Sequence, residues 1–149
     1  MTMSYYDQMD KDADHRKQPE KYRVGRGEQG VLMIEPYKSE ILPNWRFKTP
    51  DVAKESSETI YEQFLAYKKA DDLVGMDMAR KFLQMGYTRA RRYANYPGGK
   101  KYDKDGNLND RDIDDEKAKA ASYFEEKWIK AREDQDYLKK KKQHQDRYG

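Results

Sequence analysis

Apolar residues change texture along this 149-residue chain: before residue 49 they come in short continuous runs, and after it they fall at helical spacing. Tyr22, Arg23 and Val24 form a β-like piece, followed by a glycine-rich turn and the continuous run Val31, Leu32, Met33 and Ile34, closed by Glu35-Pro36. Such a run reads as a buried strand, and the intervening turn makes it one arm of a hairpin. Residues 41–47 are irregular and aromatic, suited to lie over a core. Thr49-Pro50-Asp51 is a helix start: Thr49 caps, Pro50 fits the first position, and Asp51 suits the positive end of the dipole. That helix runs to about Lys69, with Ala53, Ser57, Ile60, Phe64 and Tyr67 on one face. A second helix begins at Asp71 or Asp72 and stops before Pro97-Gly98-Gly99. On a wheel of about 100° per residue, Met76, Ala79, Phe82, Leu83, Gly86, Ala90 and Tyr93 share one arc. Asp77, Arg80, Lys81, Gln84, Thr88, Arg91, Arg92 and Asn95 share the opposite one. Gly86, central in the apolar arc, predicts a close approach by another element. A third helix runs from about Asp114 to Gln143, with a narrow seam of Ala121, Phe124, Trp128, Ala131 and Leu138.

These elements predict an α+β fold, mainly helical: a small hairpin or sheet packed on two helices, plus an extended C-terminal helix. The organisation expected is a flexible polar arm over 1–21, a core domain over 22–102, an acidic turn segment over 103–116, and the C-terminal helix with a basic tail over 117–149. The chain is 36% hydrophobic and 40% charged, so the core is small. No cysteine is present, which excludes disulfides, thiol nucleophiles and thiolate metal sites. No apolar run is long enough for a signal peptide or a membrane span, so a cytoplasmic protein without a membrane partner is expected.

Charge supplies the sharpest feature. Residues 78–102 hold seven basic side chains and no acidic one, while the whole chain is only +3, leaving −4 for the rest (3 − 7). Arg80, Lys81, Arg89, Arg91, Arg92, Lys100 and Lys101 are interleaved there with Phe82, Tyr87, Tyr93, Tyr96 and Tyr102. A basic helix with aromatic residues suits phosphate contacts and base stacking. The acidic stretch that follows, 103–116, has seven acids and two bases, and folding back it would neutralise this face.

Other motifs are weaker. Gly25, Arg26, Gly27 and Gly30 carry a G-x-G-x-x-G pattern, but a strand-like run rather than a helix follows it, so a tight turn or an anion-binding loop outranks a dinucleotide site. Asp103-Lys104-Asp105-Gly106-Asn107 opens like a calcium loop, yet the sixth position, which requires glycine, is Leu108. Glu35 and Lys38 are the weak candidates for a metal-dependent nuclease. Their spacing is one residue longer than Glu-x-Lys. His15 and His144 both fall in the expected tails, away from any core site. No cofactor or metal site is expected.

Two stretches carry a family likeness. One is Arg26-Gly27-Glu28-Gln29-Gly30-Val31-Leu32, continuing through Glu35-Pro36-Tyr37-Lys38 and residues 45–50. The other is Gly75-Met76-Asp77-Met78-Ala79-Arg80-Lys81-Phe82-Leu83-Gln84-Met85-Gly86, continuing over 88–95. Over roughly 22–102 the chain resembles an uncharacterised "domain of unknown function" family of small bacterial and phage proteins. The resemblance implies a free-standing intracellular protein and adds no chemistry. The function expected from the residues is non-specific nucleic-acid binding, DNA or RNA, through Arg80, Lys81, Arg89, Arg91, Arg92, Tyr93 and Tyr96. The alternatives are a protein-interaction module using the C-terminal helix, and the nuclease.

Overall fold

A computed structural model describes residues 4–96, 102–107 and 115–149. The described residues form six helices: α1 Tyr5–Gln8, α2 Tyr37–Ile41, α3 Pro50–Lys69, α4 Leu73–Asn95, α5 Asp115–Arg132 and α6 Gln135–Tyr148. Two 3-10 turns, Pro19–Lys21 and Leu42–Asn44, complete the regular structure, apart from an isolated bridge residue at Tyr102.

Helix α3 matches its expected span. Thr49 accepts a hydrogen bond from the Val52 amide (3.2 Å), and Ala53, Ser57, Ile60, Phe64 and Tyr67 are all buried. Asp72 caps α4 by accepting from the Gly75 amide at 3.0 Å. Helix α4 is the centre of the fold and packs against α3, α5 and α6. Gly86 does admit a neighbour: the Phe124 ring of α5 fills the space its Cβ would take.

The expected sheet or hairpin is absent among the described residues, and the fold is all-helical rather than α+β. The apolar run at 31–34 is instead wound into consecutive turns. The Gln29, Val31 and Met33 amides donate to the Arg26, Glu28 and Gly30 carbonyls at 2.9–3.1 Å, so they have no need of a partner strand. Gly27 (φ 53°) and Gly30 (φ 85°) supply the left-handed backbone those turns require. Burial follows the turns: Val31 and Ile34 are inside, whereas Leu32 is 49% exposed.

The single long C-terminal helix is two helices. Asp134 interrupts it by capping α6 through the Tyr137 amide (3.0 Å) while its carboxylate meets Lys68 Nζ at 2.8 Å. The break changes the register of the seam. Ala121, Phe124 and Ala131 are buried as expected, but beyond it Tyr137 and His144 turn inward and Leu138 faces out. The N-terminal segment expected as a flexible arm packs Met9, Ala13 and His15 against the body, and Arg16 fixes it to Glu40 with two hydrogen bonds of 2.6 and 2.8 Å.

Candidate functional site

The first half of α4 carries charge into the interior. Asp77 and Lys81 are fully buried and Arg80 nearly so. Asp77 Oδ1 accepts from Arg80 Nη2 (2.8 Å) and from the Tyr137 hydroxyl (2.6 Å). Its Oδ2 accepts from the Tyr22 hydroxyl, with Lys81 Nζ 3.6 Å away. Arg80 also donates to the Gly27 carbonyl and to Gln84 Oε1, both at 2.8 Å, and through Nε to the Tyr137 hydroxyl at 3.1 Å. Lys81 Nζ donates to the Gln29 carbonyl (2.6 Å) and the Tyr22 hydroxyl (3.0 Å). Asp77 and its two cations thereby join α4 to the glycine-rich turns, to Tyr22 and to α6.

Burial raises the proton affinity of Asp77, but Arg80, Lys81 and the two tyrosine hydroxyls outweigh it and hold the carboxyl well below its usual range. Burial pushes Lys81 down to about 8, with Asp77 resisting the shift. Tyr22 and Tyr137 are pushed up, first by burial and then by the Asp77 charge. A buried ion pair is a weak source of net stability, but removing one partner leaves an unpaired charge in the core. With Asp77 and Lys81 wholly enclosed, the arrangement is a cross-brace rather than a reactive centre.

Arg80 and Lys81, expected to contact phosphates, are therefore spent inside the protein. The remaining expected residues lie on the outer half of α4. Arg89 and Arg92 are exposed, Arg91 and Tyr96 are half-buried, and Tyr93 is 40% exposed. None of these three arginines forms an ion pair with a described residue. Lys100 and Lys101 lie outside the described residues.

Tyr93 forms part of a groove that sequence reasoning missed. A cavity of about 420 Å³ is lined by Arg46, Phe47, Lys48, Val52, Tyr93 and Lys117. Phe47, Val52 and Tyr93 make it apolar, three cations stand around it, and no carboxylate is among its described lining residues. The Phe47 and Tyr93 rings are 6.0 Å apart, and Trp45 packs on Phe47 at 5.1 Å. Trp45 is itself fixed, its indole donating to the Phe82 carbonyl at 3.1 Å. Lys117 donates to the Lys48 carbonyl, tying α5 to this segment. Glu55 lines a neighbouring recess that shares Arg46 and Val52. The alternation Trp45-Arg46-Phe47-Lys48 was the available sequence signal.

The glycine-rich loop turns its carbonyls, Gly27 O and Gln29 O, toward buried cations, which is opposite in sign to an anion cradle. Gly25 is buried, and the Arg26 amide is taken by Gln29 Oε1 at 3.3 Å. Glu35 uses both carboxylate oxygens on Ser39, accepting from its amide (2.8 Å) and hydroxyl (2.6 Å), beside a half-buried Lys38. Residues 103–107 form a turn in which Asp103 Oδ1 accepts from the Asp105 and Asn107 amides, both at 2.9 Å. The rest of the acidic segment up to residue 114 lies outside the described residues, and with it the fold-back onto the basic helix. Both histidines, expected in tails, are buried. His144 Nε2 meets the Tyr22 carbonyl at 2.6 Å, which makes that nitrogen the protonated one, and His15 Nδ1 meets the Glu35 carbonyl at 3.2 Å. Among the described residues, no three His, Asp or Glu side chains stand together as a metal site, and no helix is long and apolar enough to cross a membrane.

Comparison with known proteins gives a family and nothing finer. No curated protein and no solved structure matches the chain. The family described as a domain of unknown function, DUF4385, matches residues 5–147, extending the likeness seen over 22–102 to the N-terminal segment, α5 and most of α6. Every residue of the buried cross-brace thus falls inside the matched span, and the chain belongs to DUF4385.

Proposed function

We propose that this protein binds nucleic acid without a sequence code, along the cationic groove beside the outer half of α4. The observation that carries the reading is the groove itself: Arg46, Lys48 and Lys117 surround an apolar lining that includes Tyr93, with no carboxylate among the described lining residues. Arg89 lies one turn before Tyr93 on the same helix face, and Arg92 adjoins it, both exposed. Arg89 and Arg92 form no ion pair with a described residue and so are available to phosphates, and displaced counter-ions drive such binding. Arg80 and Lys81 take no part, because their donors are used within the core.

The test is fluorescence anisotropy with labelled DNA and RNA strands across a salt series. Three to five phosphate contacts give a log–log slope of about −2 to −4 on single strands. Lys48→Ala with Arg92→Ala reduces that slope by about one to two and weakens all sequences alike. Absence of binding at about 50 mM salt ends the reading. Parallel gel lanes with magnesium separate binding from cleavage, and a shortened strand would transfer the function to the nuclease reading.

A further inference from the structure

We infer that the groove takes an unpaired nucleotide, its base laid against Tyr93 in the apolar pocket and its phosphates on Arg46 and Lys48. This rests on the nucleic-acid reading and narrows it to single strands. The cations alone would serve a duplex equally well, since a duplex offers phosphates along its outside. The apolar lining would not be served: bases in a duplex are hidden in their stack, and a bound duplex would leave Phe47, Val52 and Tyr93 facing water. A strand with free bases covers that lining and satisfies the surrounding charge together. Aromatic platforms flanked by cations hold single strands in this way.

The groove, about 420 Å³, lies in the size range of ligand-binding clefts. Its aromatic wall is set in advance. Trp45 is locked to the Phe82 carbonyl and packs against the Phe82 ring at 6.3 Å, Phe47 packs on Trp45, and Tyr93 packs on Phe47. Lys117 holds the same segment from α5 through the Lys48 carbonyl. A wall fixed by its own contacts loses little freedom when a ring settles on it. Tyr93, on a helix and 40% exposed, is the ring left accessible to a ligand.

The experiment compares three probes of about 12 nucleotides: a single strand, the same strand with abasic sites throughout, and the duplex. The abasic strand keeps the phosphates and lacks the rings. The full chain is expected to bind the base-bearing strand about tenfold more tightly than the abasic one, and more tightly than the duplex. Tyr93→Ala removes the difference between the two single strands, and Tyr93→Phe retains it. Thermal melts of both variants confirm that the fold is kept. If base-bearing and abasic strands bind equally, or the duplex binds best, the unpaired-base inference is overturned while phosphate binding stands. If none of the three probes binds, both readings fall.

Discussion

The two halves of α4 use the same residue types for opposite ends. Arg80 and Lys81, near its start, are enclosed by Tyr22, Tyr137, the glycine-rich turns and Asp77. Arg89 and Arg92, two to three turns later, face water. The inner half has neighbours on every side, so each charge there requires a fixed counter-charge and matched donors. The outer half is amphipathic in the ordinary way: Ala90 and Ala94 lie inward and the arginines outward. A run of basic residues is therefore not one surface, and its charge cannot be counted as if all of it met a ligand.

The largest expected effect breaks the inner half. Asp77→Ala leaves Arg80 and Lys81 without their carboxylate and removes the acceptor of two tyrosine hydroxyls, a loss of about 3–5 kcal/mol in urea unfolding. On the outer half, Arg92→Ala stays within about 0.5 kcal/mol. Equal losses at the two positions would erase the distinction between the halves. Next comes the changeover point, Gly86. A methyl group there meets the Phe124 ring, and Gly86→Ala costs about 1–3 kcal/mol through overpacking, despite the better helix propensity of alanine. A stabilised variant would show that α5 does not hold this close approach.

The last test is a slope with pH. Lys81 titrates at about 8 in the fold against 10.5 when exposed, so between these values the unfolded chain binds more protons. Its contribution to stability therefore grows as pH rises from about 8. Tyr22 and Tyr137 act in the other direction: they stay protonated in the fold while unfolded tyrosines ionise near 10, so their contribution is lost above that value. Urea midpoints are expected to rise from pH 8 toward 10 and then fall. A midpoint that falls steadily from pH 8 onward would show that Lys81 is not held in a desolvated site.

Legibility in the sequence followed how local each signal was. Helix α3 was readable because Thr49, Pro50 and its apolar face all lie within the segment they specify. The run at 31–34 was misread because an apolar run of four does not fix its own conformation. Gly27 and Gly30, acting as turn residues, decided it. The break at Asp134 had a cap residue to announce it, yet the three- and four-residue spacing on either side concealed the change of face. The groove was half legible: Arg46, Phe47 and Lys48 alternate visibly, whereas their meeting with Tyr93 and Lys117 is a product of packing.

By itself the sequence determined where α3 and α4 begin and end, and that its basic residues gather in one window. Only the tertiary structure decided which of those residues are available. On a helical wheel Asp77, Arg80 and Lys81 share the polar arc with Arg91 and Arg92, and nothing within the helix distinguishes them. The groups that enclose the inner three come from Tyr22, Gly27, Gln29 and Tyr137, more than 50 residues away along the chain. Periodicity reports the angle at which a side chain leaves its own helix. Burial depends on what arrives opposite it, and that is fixed only when the whole chain packs.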